Sequence, residues 1–142
     1  MQTLEIISDI SQLNRVRAFV KKTLKDFNPS EEDFYSVELS LLEVCINIIR
    51  YAYPRKKGRI RIHSWEQDRR IYFEVQDDGQ PFDPRKAEKP DIPGIIKSGK
   101  KGGFGVFLTR KLMNGFEYRR DKGRNVLILS KIISSNETPP PD

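Results

Sequence analysis

Hydrophobic residues recur along this chain with two different periods, and each period predicts a different kind of element. From Ser11, Leu13, Val16, Val20 and Leu24 fall at helical spacing and predict an amphipathic helix to about Phe27. Asn28-Pro29 ends it. Ser30 with Asp33 resembles a capping box, although Asp stands where Glu or Gln is usual. The second helix is long and apolar, with Phe34, Val37, Leu41, Val44, Cys45, Ile48 and Ile49 on its buried side, and Pro54 stops it. Thr3 to Ile7 reads as a short first strand. Arg59 to Ser64 then alternates, with Ile60 and Ile62 on one face and Arg59, Arg61 and His63 on the other. Arg70 to Gln76 repeats this, with Ile71, Phe73 and Val75 opposite Tyr72, Glu74 and Gln76. Both suit an antiparallel sheet with one covered face, joined by a hairpin at Glu66-Gln67-Asp68.

Gly79 to Gly102 is rich in Pro, Gly and Lys and predicts a long lid-like loop, with at most a helical turn near Ile92 to Lys97. Val106 to Met113 predicts a helix. Phe116 to Arg120 and Asn125 to Ile132 predict a second hairpin, with Gly123 in the turn at Asp121-Lys122-Gly123-Arg124 able to take positive φ. Ser134 to Asp142 ends in Pro-Pro-Pro-Asp and predicts a disordered tail after a domain of residues 1–133. The order of elements predicts an α/β fold, a two-layer sandwich whose helices cover one face of a mixed, mostly antiparallel sheet.

Three blocks carry candidate chemistry. Glu43 and Asn47 are four apart and share a helix face. Asn47 lies between Ile46 and Ile48. A buried amide without a partner costs about 1–3 kcal/mol, so it calls for one. Its oxygen is a hard ligand suited to Mg²⁺ carrying phosphates, and Glu43 is placed to accept a proton. A polar stripe bonded to nearby backbone is the alternative. Asp77 ends a strand whose alternate residues point inward, and a carboxylate there can accept from an exocyclic amine; Gly79 lets a flat ring approach the backbone. A plain Asp-Gly turn is the alternative. Gly102-Gly103-Phe104-Gly105 opens a helix, where backbone N–H groups can hold an anion, and Lys100 and Lys101 precede it. It lacks the spacing of a Walker loop and of a dinucleotide fingerprint; a flexible loop with a helix cap is the alternative.

Composition narrows the class. The 142 residues are 37% hydrophobic and 32% charged, as expected of one globular domain. No apolar run reaches the ~18 residues of a membrane span, and the first residues lack the pattern of a signal peptide. The single cysteine, Cys45, fits a reducing cytoplasm. The net charge of +6 admits nucleic acid, anionic lipid, nucleotide phosphates or an acidic protein as partner. A nucleic-acid binder would interleave basic residues with exposed aromatics, whereas Phe34, Phe73 and Phe107 occupy core positions. His63, the only histidine, has no ligand-spaced companions, so neither a zinc site nor a Ser-His-Asp triad is expected.

In combination the blocks resemble a known pattern. Glu-x-x-x-Asn-x-x-x-Tyr-Ala over Glu43 to Ala52 looks like the N box of the GHKL ATPases, Asp77-x-Gly79 like their first glycine box and Gly103-x-Gly105 like their second. The words Ala52-Tyr53, Phe82-Asp83-Pro84, Gly102 to Leu108 and Gly123-Arg124-Asn125-Val126-Leu127 through Lys131 resemble most the anti-sigma-factor serine kinases of the RsbW and SpoIIAB type. That resemblance covers residues 3 to 133. It implies the Bergerat fold, ATP and Mg²⁺ as cofactors, and phosphorylation of a STAS-domain antagonist by a regulator that also holds a sigma factor or another target. It further implies Glu43 as catalytic base and Asn47 as Mg²⁺ ligand. Asp77 and Gly79 would be at adenine, Gly102, Gly103, Phe104 and Gly105 at phosphate, and Lys101 near the γ-phosphate. Members of this branch often dimerise, so a homodimer follows from the resemblance alone. A module that binds ATP and a partner without phosphotransfer is the alternative. The catalytic half of a histidine kinase is disfavoured, because His63 is not on a predicted helix.

Overall fold

The computed structural model describes residues 1–84 and 105–134, with 105–108 as backbone only. Five strands form one sheet: β1 (Gln2–Ile7), β2 (Arg59–Gln67), β3 (Arg70–Asp77), β4 (Gly115–Asp121) and β5 (Arg124–Ile132). Their spatial order is β1-β2-β3-β5-β4 and every pairing is antiparallel. The expected mostly antiparallel sheet is thus realised in its strict form. Among the described residues three α-helices accompany it: α1 (Leu13–Leu24), α2 (Glu31–Asn47) and α3 (Gly105–Leu112).

Alternation in sequence becomes burial in space. Ile60, Ile62, Phe73, Val75, Leu127 and Leu129 are buried in one cluster with Val16, Val20, Leu24, Val37, Leu41 and Val44 from α1 and α2. The helices therefore cover one face, as the pattern predicts. Phe19 meets Phe73 edge-on at 6.5 Å, a favoured aromatic geometry. On the open face, Trp65 stacks on Tyr72 at 5.2 Å, and the half-buried His63 bonds to Thr3 Oγ1 through Nδ1.

Several boundaries differ from the sequence reading. The first helix is shorter, flanked by 3₁₀ turns at Ile10–Gln12 and Lys25–Phe27. Asn28 adopts left-handed φ of 47° and turns the chain. Ser30 does cap α2, its Oγ accepting from the Asp33 N–H at 3.1 Å. The first hairpin turns later than expected, at Asp68 and Arg69, both with positive φ. Two such residues form the turn whose twist matches the flanking strands. The second hairpin turns at Lys122 and Gly123 with positive φ, as the sequence implies. The helical turn near Ile92 to Lys97 and the tail after Ser134 lie outside the described residues.

Phe73 is fully buried at the centre of the sheet. Phe73→Ala is expected to cost about 3–5 kcal/mol, measured as a lowered midpoint in urea unfolding. A loss below ~1 kcal/mol would mean that the core does not depend on this face.

Candidate functional site

The end of β3 meets α2, α3 and the start of β5 in a cleft walled by Val44, Asn47, Ile48, Val75, Asp77, Phe82, Thr109, Tyr118, Asn125 and Leu127. Asp77 sits in its floor with 1% of its surface exposed. It occupies the inward position after Ile71, Phe73 and Val75, so strand alternation alone carries a carboxylate into the core. Burial pushes its pKa above the ordinary carboxylate range, opposed by hydrogen bonds from Asn125 and the Gly79 N–H and by the charge of Arg120. Both bonds go to Oδ1, each at 2.9 Å.

Asn125 holds this arrangement together. It lies opposite Asp77 in the β3–β5 register. Its Nδ2 donates to Asp77 Oδ1 and to the Gln80 carbonyl, each at 2.9 Å. Its Oδ1 accepts from the Phe82 N–H at 3.2 Å and from the Tyr118 hydroxyl at 2.6 Å. One buried amide thus fixes both the carboxylate and the chain that follows it. The sequence reading did not single out Asn125. The available signal was an amide in an otherwise apolar strand, followed by Val126 and Leu127.

The loop after Asp77 is tied equally to the far end of α2. There the α-helix passes into a π-helical stretch, Ile48–Ala52, rather than running straight to Pro54. Such widened turns recur at functional sites. The Gln80 N–H donates to the Ala52 carbonyl at 2.9 Å, and Gln80 Nε2 to the Tyr51 carbonyl at 2.7 Å. The Tyr51 ring stacks on Phe82 at 4.9 Å. A Cβ on Gly79 would overlap the backbone and side chain of Ala52. The close approach of this loop to Ala52 therefore requires a glycine.

Asn47 also departs from expectation. It is half-exposed rather than buried, and it makes no side-chain hydrogen bond among the described residues. Its amide lines the same cleft as Asp77. Glu43, one turn earlier on α2, is likewise half-buried and is not among the residues that wall the cleft. No group of three His, Cys, Asp or Glu gathers as a metal cage among the described residues. An unpartnered amide oxygen with a carboxylate one turn away nonetheless fits a cation that keeps water and phosphate as its other ligands. The cleft is narrow, with about 20 Å³ of free volume, near that of one water.

Gly105 begins α3, as the third block implies. Lys101, Gly102, Gly103 and Phe104 lie outside the described residues. Thr109, buried on α3, is a cleft residue that the sequence reading did not name.

Comparison with known proteins agrees with this architecture. A family model described as a histidine kinase-like ATPase domain matches residues 6–131. Curated relatives include the serine-protein kinases RsbW of Bacillus thuringiensis (strain Al Hakam) and Bacillus cereus (strain 03BB102). Each is 29% identical over 105 residues, covering 71% of this chain. The matched stretch spans 66% of the length of those relatives, just under two thirds. Among solved structures, the RsbU and RsbW domains of Rv1364c from Mycobacterium tuberculosis superpose with a TM-score of 0.64 at 18% identity. That match covers 95% of this chain and 33% of that one. The catalytic domain of the histidine kinase ThkA superposes at 0.53 with 16% identity, covering 94% and 97%. At these identities the structural likeness establishes the fold. The resemblance to the RsbW branch drawn from the motifs is matched by the named relatives. No helix among the described residues is long and apolar enough to cross a membrane.

The raised pKa of Asp77 has a testable consequence. The folded state holds this proton more tightly than the unfolded chain does. Its contribution to stability is therefore full below the unfolded carboxylate value of about 4 and is lost as pH rises through the raised folded value. Asp77→Asn keeps an oxygen for the Gly79 and Asn125 donors and removes the desolvated charge. Urea unfolding across pH should show the variant gaining on the parent through that window and at least as stable at neutral pH. An equal destabilisation at every pH would contradict the burial argument.

Proposed function

This chain belongs to the histidine kinase-like ATPase family, and we propose that it is a Mg²⁺- and ATP-dependent serine protein kinase working as an anti-sigma-type regulator. The observation that carries this reading is the convergence of Asp77 and Asn47 on one cleft, with Glu43 one turn beyond. The proposed phosphoacceptor is a serine on a STAS-domain antagonist, within a circuit where the same protein sequesters a sigma factor or another target. A cytoplasmic location and a homodimer accompany the proposal.

In this scheme Asp77 accepts a hydrogen bond from the adenine amine, held in place by Asn125 and the Gly79 N–H. A base without that donor would lack a hydrogen bond to the carboxylate beyond those from Asn125 and the Gly79 N–H, which is the physical basis of selectivity. The Asn47 oxygen would hold Mg²⁺, and the ion would supply neutralisation of phosphate charge. Gly102, Gly103, Phe104 and Gly105 present backbone N–H groups to phosphate at the start of α3. Glu43 takes the proton from the incoming serine hydroxyl as its oxygen bonds to the γ-phosphorus and the bond to ADP breaks. Lys101 stabilises charge on the transferred group. Apolar walls from Val44, Ile48, Val75 and Leu127 cover the faces of the base and exclude water.

Incubation with labelled ATP, Mg²⁺ and a candidate STAS-domain protein tests the reading. The parent should transfer label to serine. Glu43→Ala should lower transfer by about 10²–10⁴-fold, the usual worth of a general base, while still binding ATP. Transfer by Glu43→Ala at the parental rate would remove that role. ATP binding without transfer to any STAS partner would leave a nucleotide-binding regulatory module.

A further inference from the structure

The loop bearing Asp78, Gly79 and Gln80 has a second side. Away from the cleft it walls two adjoining hollows of about 750 and 340 Å³. The opposite wall is the segment from Ala52 to Gly58, which carries Arg55, Lys56 and Lys57 in succession. This segment is held at both ends. Tyr53 is buried, donates through its hydroxyl to the Arg59 carbonyl at 2.8 Å and accepts from the Asp78 N–H at 2.7 Å. Gly58 exchanges hydrogen bonds with Ser8, its N–H reaching Ser8 Oγ at 2.9 Å and its carbonyl taking the Ser8 N–H at 2.8 Å. A Cβ on Gly58 would overlap the Tyr53 ring, so the chain lies flat on that ring. The groove is therefore built before any partner arrives.

Its charges are not self-compensated. Lys57 pairs with Asp9, Arg59 with Glu5, and Arg61 and Arg124 with Asp78. Arg55 and Lys56 are exposed and pair with no carboxylate among the described residues. Two uncompensated cations thus stand over a hollow whose walls include Ala52, Tyr53 and Pro54. We infer that this groove docks an acidic segment of a partner polypeptide, its carboxylates at Arg55 and Lys56 and its backbone against Asp78 to Gln80.

Nucleic acid fits less well. Asp78, 46% exposed on its side chain, stands in both hollows as a hydrogen-bond acceptor; a peptide backbone can offer it an N–H, whereas a phosphate backbone has no donor to give. The groove's own aromatic, Tyr53, is 7% exposed and offers no face for a base to stack on. Because residues 78–80 join this groove to the nucleotide loop, an occupant would bias that loop and be biased by it in turn. That coupling rests on the ATP reading above; the docking itself does not.

The test uses a fluorescein-labelled poly-glutamate peptide of about a dozen residues, read by anisotropy at low salt without nucleotide. The parent should bind it. Arg55→Glu/Lys56→Glu should weaken binding at least about tenfold with an unchanged thermal melt. Lys21→Glu/Lys22→Glu, an equal charge change on the exposed side of α1, should leave it within about twofold. Equal weakening by both pairs would reduce the effect to net charge and overturn the proposal, as would no binding by the parent. Tighter, groove-dependent binding of a short DNA duplex would also overturn it, in favour of nucleic acid.

Discussion

A buried carboxylate and a buried amide face each other at the end of the sheet, and the shape of the site follows from that pair. Asp77 is carried inward by strand alternation and loses most of its hydration. It is tolerated because Asn125, opposite it on β5, and the Gly79 N–H both donate to Oδ1. The same Asn125 binds the Gln80 carbonyl, the Phe82 N–H and the Tyr118 hydroxyl. The turn that brings polypeptide over the cleft is therefore set by the network that stabilises the charge. A network of this kind is rigid when complete and costly when one member is lost.

This arrangement also explains why the loop can serve two surfaces. Its inner side, through Asp77 and Phe82, forms part of the apolar cleft. Its outer side, through Asp78, Gly79 and Gln80, forms a wall of the basic groove. Between them the backbone is fixed to the π-helical stretch after α2 by the close approach of Gly79 to Ala52 and by the two bonds from Gln80. Arg120 adds a hydrogen bond to the Gly79 carbonyl at 2.9 Å from β4.

Most of the fold was legible because it rests on periodicity. Ile60, Ile62, Phe73 and Val75 declare a half-covered sheet, and Val16, Val20 and Leu24 declare the helix that covers it. Asp77 was legible for the same reason, since an acid at an inward strand position has few structural uses. Asn125 was not, because its importance depends on cross-strand register with Asp77, which no local pattern encodes. The π-helical stretch escaped for a similar reason: Ile48 to Ala52 reads as ordinary helix, and its widening accompanies ties to the distant Gln80. Asn47 read as buried between two isoleucines, yet the helix turns it toward the cleft and leaves it half-exposed. The turn at Asp68-Arg69 was misplaced because neither residue is a glycine, although both take positive φ.

In the proposed function Asp77, oriented by Asn125, would read an adenine amine in a cleft where Asn47 would carry Mg²⁺. Calorimetric titration of ATP, with and without Mg²⁺, into the parent and Asn125→Asp tests it most directly. The added carboxylate would face Asp77 across the strands and replace a donor with a like charge. Magnesium-dependent binding by the parent, lost in the variant at neutral pH and partly restored in mild acid, is the expected result. Equal ATP affinity in parent and variant at neutral pH would contradict the claim, as would no binding by a parent shown to be free of nucleotide.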